Sequence, residues 1–224
     1  AGTTARTFSP GGGRMSGAPL HIALIGSGFM GRAHALAFAA ADRTFDLPRT
    51  PRVTVLADRD LPTATAAAAS LGIPRASGDW RETIADAGID MVAIATPNLL
   101  HAPIAIAALE AGKAVYCEKP LATTIAESEA MTAAAAATGL PTAVGFTYLY
   151  NPMIVLAREL IASGEIGEVT AFRGIHAEDF MASADAPFNW RCEPDQAGGA
   201  LADIGSHIIA MAQHLVGDIA DRKS

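Results

Sequence analysis

The apolar run Ile22-Ala23-Leu24-Ile25 passes directly into Gly26-Ser27-Gly28-Phe29-Met30-Gly31, and a helical pattern begins at once. A strand that feeds a helix through so short a turn leaves few folds open. Gly26 permits the tight turn. Gly28 lets the backbone approach a pyrophosphate, and Gly31 lets the helix pack closely on the strand. The N–H groups and dipole at the helix start favour an anion. The segment Gly26–Gly31, with Ser27, Phe29 and Met30 between its glycines, therefore reads as the phosphate turn of a dinucleotide fold. An ordinary Gly-rich turn would share the three glycines but not this place in a βαβ unit.

The pattern then repeats. Helix one runs from Phe29 to about Ala41, and Asp42–Pro51 is a polar loop with two prolines. Val53–Ala57 is a strand, Leu61–Leu71 a helix, Trp80–Ala87 a short helix and Met91–Ala95 a buried strand. Ile104–Glu110 is helical before Gly112, Ala114–Cys117 is a strand, Ile125–Thr138 an Ala-rich helix closed by Gly139, and Thr142–Phe146 a strand. Strands alternating with helices predict an α/β fold, a doubly wound parallel sheet of Rossmann type. After Tyr148 the pattern changes to a helix at Met153–Ser163, a long strand at Val169–Glu178, a loop at Asp179–Gly199 and a helix over 200–215. This is the start of an α+β domain, incomplete because one strand makes no stable sheet. The predicted divisions are a disordered leader at 1–19, a dinucleotide-binding domain at 20–147 and a partial second domain at 148–224. Met15 reads as a natural start within the leader.

The net charge of −7 argues against nucleic acid as partner. The chain has no apolar run near the ~20 residues that span a bilayer, and no targeting segment is read. With two cysteines, Cys117 and Cys192, the expected setting is the reducing cytoplasm, Cys117 being a buried small hydrophobe.

Four further constellations carry chemistry. Asp58 closes the second strand, 27 residues beyond Gly31, where the fingerprint expects an acidic residue about 20 on. A carboxylate there accepts from a ribose 2′-OH and repels a 2′-phosphate, which favours NAD over NADP; Arg59 beside it could stack on adenine or tolerate the phosphate. A strand-end turn is the plainer reading of Asp58. Thr96-Pro97-Asn98 with His101 follows a buried strand, where ligands of open α/β sheets bind; Asn98 could bond ribose or nicotinamide, or these residues could only cap a helix. Glu118-Lys119-Pro120 follows the next strand. Lys119 could polarise a substrate oxygen and Glu118 orient it or the ribose, with Lys119–Pro120 a candidate cis bond; a surface ion pair is the plainer reading. In Gly198-Gly199-Ala200-Leu201-Ala202-Asp203-Ile204-Gly205-Ser206-His207, Asp203 and His207 share a helix face. Leu201, Ile204, Ile208, Met211 and Leu215 form a separate apolar stripe. The imidazole suits proton removal from an alcohol, with Asp203 orienting it or binding substrate hydroxyls; an exposed Asp–His pair is the alternative. His207 and His214 also share a face, but without further clear ligands no metal site is read.

GSGFMG, ATPNLLH, CEKPLA, GFTYLYNP and GGALADIGSH occur here in one order. Together they resemble the family of glucose–fructose oxidoreductase, inositol dehydrogenase and the rhizopine catabolism protein MocA, over about residues 20 to 219. The resemblance implies a Rossmann domain followed by an α/β domain with an open, mainly antiparallel sheet. It implies NAD(P)-dependent oxidation of a sugar or cyclitol hydroxyl, or the reverse. Lys119, Asp203 and His207 would form the catalytic group, with His207 the acid/base. Gly26–Gly31, Asp58, Arg59, Thr96, Pro97, Asn98, His101, Glu118 and Lys119, with Trp190 and Arg191, would contact the cofactor. Phe146, Tyr148, Arg173 and His176 join Lys119, Asp203 and His207 as candidates for the sugar pocket.

The chain departs from the family at Leu149, where Arg is frequent, and at Ala210, where an acidic residue is frequent. Members commonly run well over 300 residues and form homo-oligomers through the sheet that this sequence lacks, so a truncated product is expected. A non-catalytic NAD(P)-binding regulatory module and an inactive fragment are the alternatives to a dehydrogenase.

Overall fold

The structure is a computed structural model, and it describes residues 17–179, 181–188, 190–193 and 199–220. Most of the expected leader, Met15 included, and Gly198 lie outside the described residues. Its last residues are tied down: the Arg49 guanidinium donates to the Ala18 and Pro19 carbonyls and pairs with Asp90 at 2.8 Å.

The strands are β1 (Leu20–Ile25), β2 (Pro51–Ala57), β3 (Ala76–Ser77), β4 (Met91–Ile94), β5 (Ala114–Cys117) and β6 (Thr142–Val144). They form one six-stranded sheet in the order β3-β2-β1-β4-β5-β6. β1 pairs in parallel with β2 and β4, and β2 with β3. This is the doubly wound dinucleotide-binding order, and its switch point lies between β1 and β4. Ile22–Ile25 is buried throughout because helices cover both faces of such a sheet. The helices are α1 (Phe29–Thr44), α2 (Leu61–Leu71), α3 (Trp80–Ala85), α4 (His101–Glu110), α5 (Ile125–Thr138), α6 (Pro152–Ala162) and α7 (Ser206–Val216). Ala35, Ala64, Ala67 and Ala68 pack with Ile22, Leu24 and Leu56 in one core cluster. Methyl-sized side chains at these positions let α1 and α2 lie close to the sheet.

Local signals set the helix ends. Asp60 caps α2 by accepting from the Thr63 N–H, and Gly72 ends it in the left-handed region at φ 68°. Thr124 and Glu127 form a capping box on α5: the Glu127 carboxylate accepts from the Thr124 N–H at 3.0 Å, and the Thr124 hydroxyl from the Glu127 N–H at 3.2 Å.

The chain divides into two compact units. One holds the residues up to Thr96 with Ala107–Val115 and Thr138–Pro141; the other holds Pro97–Ile106, Tyr116–Ala137 and the residues from Thr142 on. Several expected bounds are corrected. α1 extends through Asp42 to Thr44, β1 and β2 begin two residues earlier than expected, and α4 begins at His101 behind a 3-10 turn, Asn98–Leu100. β6 stops at Val144, and two-residue β3 is too short to leave a pattern. The largest correction is Val169–Glu178. It forms no strand, because a strand requires a ladder partner and no neighbouring segment among the described residues supplies one.

Candidate active site

The first unit holds the glycine turn. Gly26 has φ 100°, and a Cβ on it would meet the Ala95 carbonyl oxygen at 2.5 Å. A Cβ on Gly31 would overlap the Gly26 carbonyl oxygen. Gly28 differs: an added Cβ there meets nothing within 4 Å. That glycine borders open space at the start of α1, whose first turn has neither a side-chain cap nor an acidic residue. Uncapped N–H groups facing open space fit a phosphate. Phe29 is exposed and Met30 half-buried at the same helix start.

Asp58 is joined to this turn. One carboxylate oxygen accepts from the Ser27 N–H at 2.8 Å and the Ser27 hydroxyl at 2.5 Å; the other accepts from the Arg59 N–H at 2.7 Å. The Arg59 side chain turns to Asp60 at 3.3 Å. A carboxylate so held presents negative charge where the second strand ends, which fits a ribose hydroxyl and repels a 2′-phosphate. Thr96 is half-buried after β4.

The second unit gathers the remaining polar residues around Lys119. Its ammonium donates to the Asp203 main-chain carbonyl at 2.6 Å and the Asp203 carboxylate at 3.1 Å. The other Asp203 oxygen lies 3.3 Å from Arg191 Nε. The Lys119–Pro120 peptide is cis. Glu118 is buried, accepts from the Lys119 N–H at 3.2 Å and lies over Gly145, where a Cβ would stand 2.8 Å from its Oε1. His101 has no exposed surface, and its Nδ1 lies 2.8 Å from the Pro120 carbonyl. It therefore braces the turn that carries Lys119. Asn98 is likewise buried and Pro97 half-buried. Trp190 opens a 3-10 turn, Trp190–Cys192, which positions Arg191.

His207 opens α7 behind a π-helical turn, Leu201–Gly205. The expected pairing of Asp203 with His207 is corrected here. Asp203 turns to Lys119 and Arg191, while the imidazole packs among aromatic rings. Tyr148 meets it edge-on at 4.8 Å, His176 lies at 4.9 Å and Phe146 at 6.3 Å between centroids. Asp203 and His207 are buried, whereas Leu201, expected on the apolar stripe, is 70% exposed. His207 Nδ1 is buried with no hydrogen-bond partner among the described residues. Burial, then the charges of Lys119 and His176, lower the imidazole pKa from 6.5 to about 4 against the opposing pull of Glu178 and Asp203. The ring is therefore neutral at pH 7 and free to accept a proton.

Two expected pocket residues fare differently. His176 joins the cluster, while Arg173 is exposed and makes no hydrogen bond to it. Glu178 was not anticipated: its carboxylate lies 3.0 Å from His176 Nε2. The signal available was the His-x-Glu spacing, which puts both side chains on one side of an extended segment.

The strand order and the open glycine turn define a dinucleotide-binding α/β protein. Comparison with known proteins agrees. The family model described as "Oxidoreductase family, NAD-binding Rossmann fold" matches residues 20–146, and that of the GFO/IDH/MocA C-terminal domain matches residues 154–222. The chain belongs to the Gfo/Idh/MocA oxidoreductase family. It is 45% identical over 203 residues to levoglucosan dehydrogenase of Pseudarthrobacter phenanthrenivorans, covering 90% of this chain and 52% of that protein. It is 33% identical over 150 residues to scyllo-inositol 2-dehydrogenase (NAD(+)) of Bacillus subtilis, covering 67% of this chain and 42% of that protein. A solved structure of levoglucosan dehydrogenase in complex with NADH matches with a TM-score of 0.87 at 45% identity, covering 89% of this chain and 54% of that one. The chain spans about half the length of the curated relatives it matches. No helix among the described residues is long and apolar enough to cross a membrane.

Proposed function

We propose that this chain carries the cofactor and catalytic residues of an NAD-dependent dehydrogenase that acts on a hydroxyl of a sugar or cyclitol. The observation that carries the reading is the convergence of Lys119, Asp203 and a neutral His207 in one unit. Gly26–Gly31 would hold the pyrophosphate and Asp58 the adenosine ribose, which favours NAD over NADP. Bound NAD supplies the hydride acceptor. His207 accepts the hydroxyl proton through a ring nitrogen, starting from the neutral form that its burial favours. The Lys119 ammonium donates to the developing alkoxide, since an oriented cation in a water-poor site stabilises charge as it forms. Asp203 holds that ammonium from two atoms and keeps it aimed. The names of the two dehydrogenase relatives support a cyclic polyol as substrate class. The reading extends to action in the cytoplasm, with Cys117 and Cys192 as free thiols, and to homo-oligomers in the full-length protein.

The test is Lys119→Ala. Nicotinamide fluorescence should report saturable NADH binding close to that of the native chain, while polyol-dependent NAD reduction disappears. Loss of NADH binding, or normal turnover, would remove Lys119 from this role. A native chain that binds NADH yet oxidises no polyol would point to a non-catalytic binding module.

A further inference from the structure

Asp203 lies between two cations. One carboxylate oxygen is 3.1 Å from Lys119 Nζ, and the other is 3.3 Å from Arg191 Nε. An ammonium has three N–H groups. Lys119 gives one to the Asp203 main-chain carbonyl and one to the Asp203 carboxylate. The third makes no hydrogen bond among the described residues. Two cations share one anion, so the group keeps a net positive charge. A Lys119–Asp203 pair standing alone would cancel its own charge. Its carboxylate could also turn both oxygens onto the ammonium and draw in the third N–H. Arg191, carried on the turn Trp190–Cys192, opposes both changes by holding the second oxygen.

We propose that Arg191 is a positioning residue that acts through Asp203, leaving the Lys119 ammonium with an N–H and an uncancelled positive charge for the substrate oxygen. This rests on the dehydrogenase reading above. As hydride leaves the carbinol carbon, negative charge gathers on its oxygen, and a cation already aimed there stabilises it without rearranging. Arg191 supplies that condition at one remove: its effect on the reaction passes through the Asp203 carboxylate. The task differs from the cofactor contact expected of Arg191, because it changes turnover and leaves cofactor affinity alone.

The experiment compares the native chain with Arg191→Ala, Arg191→Lys, Asp203→Asn and the double variant Arg191→Ala/Asp203→Asn. Turnover is measured on levoglucosan and scyllo-inositol, and NADH affinity by nicotinamide fluorescence. Circular dichroism verifies that each variant folds. Arg191→Ala should lower kcat roughly ten- to hundredfold, the scale of a misaimed catalytic group, with KM and NADH affinity little changed. Arg191→Lys keeps the charge and should recover part of the loss. Arg191 is partly exposed, so truncation leaves a space that a solute can enter. Millimolar guanidinium chloride should therefore raise kcat of Arg191→Ala but not of the double variant. The double variant should be no slower than Asp203→Asn, because Arg191 has nothing to hold once the carboxylate is gone. A weakened NADH affinity with kcat intact would return Arg191 to a cofactor contact and overturn the proposal. An additive double variant, or a loss that neither lysine nor guanidinium relieves, would also overturn it while the dehydrogenase reading stands. A native chain that binds NADH and oxidises neither probe would overturn both.

Discussion

Asp203→Asn keeps the shape of the side chain and removes its charge. Asp203 serves two cations: Lys119 at 3.1 Å through one oxygen and Arg191 at 3.3 Å through the other. The Lys119 and Asp203 side chains are 16% and 11% exposed, so that contact is largely desolvated. A charge-assisted hydrogen bond contributes about 1.5–3 kcal/mol and a neutral one about 0.5–1.5, so the Lys119 contact loses about 1.5 kcal/mol. Arg191 is 35% exposed, and solvent screening reduces its share to about 0.5 kcal/mol. The main-chain carbonyl still accepts from Lys119 and limits the damage. The expected cost is about 2 kcal/mol, or about 4–8 °C in Tm for a chain of this size. Asp203→Ala removes both acceptors and should cost more, about 3–5 kcal/mol, as when one partner leaves a buried pair. Thermal unfolding followed by circular dichroism measures both, with NADH titration as the check on the first unit. If both variants melt within a degree of the native chain, Asp203 does not hold a desolvated lysine, and the ion-pair account of the cluster is wrong.

Gly31→Ala should destabilise the chain by about 1–3 kcal/mol and weaken NADH binding, because its Cβ overlaps backbone and the phosphate turn must move; unaltered fluorescence titration and Tm would refute this. Gly145→Ala should displace the buried Glu118 carboxylate from the Lys119 N–H and lower Tm, with NADH affinity as the control. His207 should show no protonation between pH 7 and 5 in an NMR titration, its pKa being lowered to about 4. Below pH 6.5 the unfolded chain takes this proton and the folded chain does not, so stability present above 6.5 is lost as pH falls toward 4. A His207 resonance that titrates near 6.5 would show that the ring is solvated.

Where a signal was local, the sequence was enough. α2, β5 and α5 lie where their periodicity and caps put them, because Asp60, Gly72, Thr124 and Glu127 act on backbone groups within a turn of themselves. The glycine turn is also local: Gly26 and Gly31 are required by contacts among neighbouring backbone atoms. Val169–Glu178 misled because its alternating pattern reports strand tendency, whereas a ladder needs a partner. The Asp203–His207 pairing misled because two cations distant in sequence, Lys119 and Arg191, take the two carboxylate oxygens.

The sequence by itself determined a parallel doubly wound sheet, a glycine turn after its first strand and the residue types of the proposed proton-transfer site. Only the tertiary structure decided which of those residues act together. Lys119 and Asp203 are 84 positions apart, and no periodicity spans that distance. Packing turned Asp203 from His207 to Lys119, buried His101 against Pro120 and set Glu178 on His176. Burial then settled the charge of His207, because a proton's affinity depends on the solvent and charges around it, and these exist only once the chain is folded.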